Sequence, residues 1–164
     1  MQTDDTAPAR RSLSFASPQE VIDDCQNLSS APCRMLGQWT LSQNIRHLAQ
    51  GVDCFYDGFG FQLNWWRRRI LGPLLKHHVL RRGMPQGVRL PVDAGTLLPP
   101  APDDDLPAAL EHLKSAIRRL EQEAPRHPHP FFGPLTHEQA RQFMLRHAEL
   151  HLSFAIPAPE PAPR

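Results

Sequence analysis

Cysteine is scarce in this chain: Cys25, Cys33 and Cys54 are the only three among 164 residues, and no two form a CxxC pair. An odd, sparse count excludes a disulfide framework and points to a reducing compartment. A dominant charge sign is also missing. The formal net charge is +1, so no global field draws the chain onto nucleic acid. No run approaches the roughly 20 apolar residues that span a bilayer. The opening MQTDDTAPARR lacks the apolar core of a signal peptide. These absences predict a soluble, cytoplasmic protein with no integral membrane association and no nucleic-acid partner. No segment of useful length alternates with period two, so no sheet is expected. No internal repeat is visible.

Proline, by contrast, is abundant at 18 residues, and hydrophobic residues make up 40%. Much of the proline falls in tails and connections. Residues 1–16 read as a flexible lead-in, and residues 157–164, PAPEPAPR, as a disordered tail that cannot continue a helix. Residues 17–156 are left for one domain.

Four segments in that domain carry helix signals. The first starts at Ser17-Pro18-Gln19-Glu20, a capping box with proline at the first helical position. Val21, Ile22, Cys25 and Leu28 follow at helical spacing. The second starts at Thr40-Leu41-Ser42-Gln43 and places Leu41, Ile45, Leu48, Val52, Phe55 and Phe59 on one stripe. The third runs from about Asp105 to Glu123, with Leu106, Leu110, Leu113, Ile117 and Leu120 repeating every three or four residues. The fourth starts at Thr136-His137-Glu138-Gln139 and runs to about Ala155, before Pro157. The expected fold is all-α, a four-helix bundle.

Residues 60–104 form a long connection between the second and third segments. Trp65-Trp66-Arg67-Arg68-Arg69 opens it, and Lys76-His77-His78 follows Gly72-Pro73-Leu74-Leu75. One or two short amphipathic helices, broken near Gly72-Pro73, are expected, then an extended stretch to Pro102. Such a length suits a bundle with one long crossover between helices two and three. The basic tryptophan segment reads as a solvated face whose tryptophans cap the bundle. An anionic-ligand site, a membrane-surface helix or a nucleic-acid contact is the other reading.

Nine histidines need sorting. His147 and His151 are four residues apart, which places them about 40° apart around a helix and about 6 Å apart along it. Both point one way, along a stripe with Phe143, Leu150 and Phe154. That stripe faces the core, where an uncompensated imidazole is costly. His47 sits beside Leu48, with Asn44 and Gly51 one turn before and after it. Glycine there would let another helix or a ligand come close. Three neutral imidazoles from two facing helices make a common zinc set with one position open to water or substrate. Imidazoles also suit nickel, copper and iron. A bare HxxxH arises often by chance, and the plain alternative is a satisfied core or surface pair.

Asn44 fits a group orienting His47 or a bound water, or a plain surface amide. Glu149 falls roughly 160° from the histidine pair and should point away from it. Cys54, two turns after His47, reads as a small buried hydrophobe that could approach the same side. His127 and His129 belong to a proline-fixed loop pinned by Phe131 and Phe132. His112 and His137 are expected to be exposed.

The stretch His129-Pro130-Phe131-Phe132-Gly133-Pro134-Leu135-Thr136, followed by RHAELHLSF from Arg146 to Phe154, resembles the DUF1569 family of the DinB/YfiT-like superfamily. WTLSQNIRHLAQGVDCFYDGF and WWRRRILGPLLKHHVLRRGMP are similar to the matching second helix and middle region. The resemblance covers about residues 12 to 156. It implies a four-helix bundle whose metal is held by one histidine on helix two and an HxxxH pair on helix four. Those positions are His47, His147 and His151, with zinc or nickel as the expected ion. It further implies a metal-dependent enzyme that activates a thiol or water, of the thiol S-transferase or hydrolase type. Such an enzyme would act on a small-molecule substrate, with a low-molecular-weight thiol as a further cofactor. Bundles of this superfamily often pair, which implies a homodimer. The alternative left open is a non-enzymatic bundle whose metal site is structural or vestigial and which works by binding partners. The sequence names neither catalytic residues nor substrate.

Overall fold

The computed structural model describes residues 9–62, 64–84 and 105–158. Among these, five helices and two short strands occur. They are α1 (Pro18–Ser30), β1 (Cys33–Met35), α2 (Leu41–Asp57), α3 (Trp65–Arg82), α4 (Leu106–Gln122), α5 (His137–Leu152) and β2 (Ala155–Pro157).

The helix starts follow the capping chemistry. The Ser17 hydroxyl accepts from the Glu20 amide, but the Glu20 carboxylate accepts from the Ala16 amide instead of that of Ser17, so the expected box is only half formed. Asp105 accepts from the Ala108 amide. Thr40 and Thr136 each form a complete box, with Gln43 and Gln139 reaching back to the cap. Each box satisfies two amides that the first helical turn leaves without partners.

The apolar stripes meet for the most part where the periodicity placed them, though Ile22, Leu106, Leu110 and Leu150 are only partly buried and Phe59 and Phe154 fall beyond their helix ends. Val21, Cys25 and Leu28 of α1 are buried, as are Leu41, Ile45, Leu48, Val52 and Phe55 of α2. From α4 come Leu113, Ile117 and Leu120; from α5, Phe143, Met144 and Leu152. α2 runs along α4 and touches α5, while α1 touches both α4 and α5. Tyr56 ties the end of α2 to the end of α4, its hydroxyl donating to the Glu123 carbonyl at 2.9 Å. No helix among the described residues is long and apolar enough to cross a membrane.

Three expectations need correction. First, a small sheet exists. β1 pairs antiparallel with β2, with Cys33 opposite Pro157, Arg34 opposite Ile156 and Met35 opposite Ala155. α5 therefore ends at Leu152, before Ala155. Strands of three residues are too short to show a period. Second, the middle segment is one helix, α3, with Pro73 inside it. Gly72 lies where an added Cβ would be 3.0 Å from the Phe131 carbonyl oxygen, so α3 approaches that loop closely. Third, Trp65 and Trp66 do not cap the core; both are exposed. The expected extended stretch from Gly83 to Pro102 lies, beyond Met84, outside the described residues.

The segment read as a lead-in is held against the end of α5 from Arg10 onward. Arg11 makes a two-pronged contact with Asp24 at 2.8 and 2.7 Å and donates to the Leu152 carbonyl at 3.0 Å. Arg10 bonds the Ser153 hydroxyl and the Leu150 carbonyl, with its guanidinium 3.7 Å from the centroid of the Phe154 ring. Phe15 is buried.

Candidate metal centre

α2 and α5 bring His47, His147 and His151 together. One ring nitrogen from each lies within 4.8 Å of the others. The ring centroids are 5.1 Å apart for His47 and His147, 4.5 Å for His47 and His151, and 4.6 Å for His147 and His151. All three side chains are partly buried.

Gly51 lets this convergence form without displacing a ring. A Cβ on Gly51 would lie 3.3 Å from His147 Cε1 and 3.4 Å from His147 Nδ1. The α2 backbone is thus bare where the His147 ring rests on it.

Asn44 is buried on the same side of α2. Its amide nitrogen donates to the Thr40 carbonyl at 2.9 Å, which turns its oxygen toward α5. That oxygen lies 3.2 Å from His151 Nδ1. The donor must then be the imidazole N–H, which leaves the lone pair on Nε2. Ligating histidines are oriented this way, their second nitrogen donating to a fixed oxygen. The sequence suggested His47 as Asn44's partner; the fold gives it His151.

Aromatic walls enclose the trio. Trp39 stacks on His151 at 5.8 Å and 14°, and meets His47 edge-on at 4.9 Å. Phe143 stacks on His147 at 5.6 Å. Beside Trp39 a cleft of about 280 Å³ is lined by Gly37, Gln38, Trp39, Asn44, His151 and Phe154. Trp39 was absent from the sequence-based candidates. Its signals were its place directly before the Thr40 capping box and at the head of the segment similar to the family's second helix.

Burial, reinforced by its imidazole neighbours, pushes His147 well below the usual histidine range. Burial, then His47 and Arg10, pushes His151 down to about 3. Both rings are therefore neutral at pH 7, the state in which imidazole ligates.

The donor set fits a divalent transition metal. Ligand nitrogens around tetrahedral zinc are about 3.4 Å apart when each bond is about 2.1 Å. The 4.8 Å ceiling on the present separations is closed by side-chain rotation of less than about an ångström per ring. Among the described residues no carboxylate or thiol joins the trio. Cys54 stays outside it, half-buried, with its thiol pushed up first by burial and then by Asp53 and Asp57. Glu149 points away, as expected. It accepts from the Phe15 amide and pairs with Arg146.

The remaining histidines have structural partners or lie apart. His129 is buried, stacks on Phe132 at 4.2 Å, and accepts at Nδ1 from the Phe131 and Phe132 amides. His127 is exposed. His112 and His137 are not the free surface residues expected. His112 pairs with Asp53 at 2.6 Å, and His137 bonds the Leu120 carbonyl at the end of α4. Each contact joins two helices, which one-helix periodicity cannot reveal. His77 and His78 lie exposed on α3.

No curated protein and no solved structure matches the chain. A family model described as a protein of unknown function, DUF1569, matches residues 7–158. That span takes in both helices that carry the histidine trio, and the chain belongs to the DUF1569 family.

Proposed function

We propose that this protein is a metal-dependent enzyme of the DinB-like kind, acting on a small molecule through a three-histidine centre. The observation that carries the reading is the convergence of His47, His147 and His151 nitrogens within 4.8 Å. The sequence resemblance to the DinB/YfiT-like superfamily supports it. So does the packing of α1, α2, α4 and α5 on one another, the arrangement a four-helix bundle requires.

Bound there, zinc or nickel would lower the pKa of a coordinated thiol or water toward neutrality, the chemistry of a thiol S-transferase or hydrolase. The chain's own residues do the rest. Neutral His147 and His151 offer lone pairs without first losing a proton. Asn44 fixes which nitrogen of His151 faces the centre. Trp39 and Phe143 shield the rings from bulk water, and the adjoining cleft admits a small substrate or thiol.

A structural metal site calls for a fourth protein donor. Among the described residues no further histidine, cysteine, aspartate or glutamate joins the three imidazoles, which favours an open position.

Protein purified without chelator should carry close to one transition metal per chain. His147→Ala should lose it while keeping its helical circular dichroism, because the site sits on helices packed independently of it. Cobalt-loaded protein should change its visible spectrum when a low-molecular-weight thiol is added. Failure to bind zinc, nickel or manganese at micromolar concentration would overturn the reading. Metal binding without any response to thiol, and without metal-dependent hydrolysis, would leave the structural alternative in its place.

A further inference from the structure

Among the described residues, every large hydrophobic side chain that is exposed lies on α3. Trp65 is 69% exposed, Ile70 62% and Leu74 71%, with Trp66, Leu71 and Leu75 also open to solvent. Monomeric proteins rarely present a contiguous apolar patch of this kind without a use for it.

α3 is moored to the body of the protein by its other side. Gly72, Val79 and Leu80 are buried, and Lys76 donates to the Pro134 carbonyl and to Gln139. The open side has two parts along the helix axis. Apolar Ile70, Leu71, Leu74 and Leu75 occupy the first part, and exposed His77, His78, Arg81 and Arg82 the second. From 64 to 84 the sequence has six lysines and arginines and no aspartate or glutamate.

That charge pattern selects the occupant. Two copies meeting through this face would bring like charges together with no carboxylate to offset them. Nucleic acid would meet the cations but would leave the aliphatic surface in water. An anionic lipid surface satisfies both: acyl chains take the apolar side chains, headgroups take the cations, and tryptophan favours the boundary between them.

We infer that α3 is a peripheral membrane-binding element, docking the protein on bilayers rich in anionic lipid. At 18 residues the helix is about 27 Å long, enough to lie along such a surface. The inference is independent of the metal centre, which lies on α2 and α5.

The test is flotation of the full chain with vesicles of phosphatidylglycerol and phosphatidylcholine in equal parts. Phosphatidylcholine vesicles serve as the comparison. Wild type should float with the anionic vesicles at low salt, be released by high salt, and stay unbound with phosphatidylcholine alone. Arg81→Gln with Arg82→Gln should weaken binding by about tenfold or more. Trp65→Ser, Ile70→Ser and Leu74→Ser together should abolish it, with helical signal and metal content unchanged. These side chains are exposed, so the fold should tolerate the changes. The wild-type salt and lipid arms decide the matter even where a variant fails to fold. Three results would overturn the inference. They are no flotation at low salt, equal flotation of the triple variant, or a concentration-dependent dimer that the triple variant dissolves.

Discussion

Asn44 reaches from α2 to His151 on α5, its side-chain oxygen 3.2 Å from the imidazole Nδ1, while its amide is tethered to the Thr40 carbonyl. The capping turn of one helix thereby sets the tautomer of a candidate ligand on another. Asn44→Ala removes that oxygen and lets the imidazole rotate. Zinc affinity, read by competition with a chromophoric chelator, should fall by about 10- to 100-fold. Unchanged affinity would mean that His151 is positioned by Trp39 alone.

Gly51 tests the same centre from the other side. In Gly51→Ala the new methyl would sit 3.3 Å from His147 Cε1, so the ring must shift by a few tenths of an ångström. The helix itself gains from the exchange, since alanine is the better helix former by about 1 kcal/mol. The expected outcome is a split: unchanged or slightly raised melting temperature together with weaker metal binding. Loss of both, or of neither, would separate that interpretation from a simple packing effect.

Acid stability should carry the mark of His129. Burial lowers its folded pKa to about 3, against an ordinary value of 6.5. Its Nδ1 accepts two backbone amides, which a protonated ring cannot do. Between those two values the unfolded chain binds the extra proton. Stability is therefore complete above about pH 6.5 and falls as the pH drops toward 3, by about 1.4 kcal/mol per pH unit for this one group. In metal-free protein, urea unfolding of His129→Gln should show a flatter decline over that window than wild type. Parallel curves would remove His129 from the account.

Arg11 anchors residues 9–16 through its fork on Asp24 and its bond to the Leu152 carbonyl. Arg11→Ala leaves a half-buried carboxylate without its counter-ion. Stability should drop by about 2 kcal/mol, measured by denaturant midpoint at constant slope. Residues 9–16 should at the same time become sensitive to protease in the folded protein.

Much of this structure was legible in the sequence because its information is local. Ser17, Thr40 and Thr136 marked helix starts through the chemistry of the first turn, and α2 and α4 declared their buried faces by spacing. His147 and His151 shared a face for the same reason. What could not be read lies between elements. The β1–β2 pairing joins three residues to three across most of the chain. Trp39 becomes a wall only once α5 is in place. His112 finds Asp53, and His137 finds Leu120, across helix boundaries. Pro73 misled, because proline commonly breaks a helix, yet α3 continues through it with its Pro side exposed.

The antiparallel join of Cys33–Met35 to Ala155–Pro157 closes the chain just ahead of α2 and just behind α5. Leu36 extends it by donating to the Phe154 carbonyl. It acts as a clasp on the two helices that supply the imidazoles, yet its halves are separated by most of the polypeptide. While the chain is still folding, only the HxxxH pair on a single helix is available, a weak and unselective grip. Full affinity arises only after distant segments have met, so metal uptake should follow completion of the fold and report it.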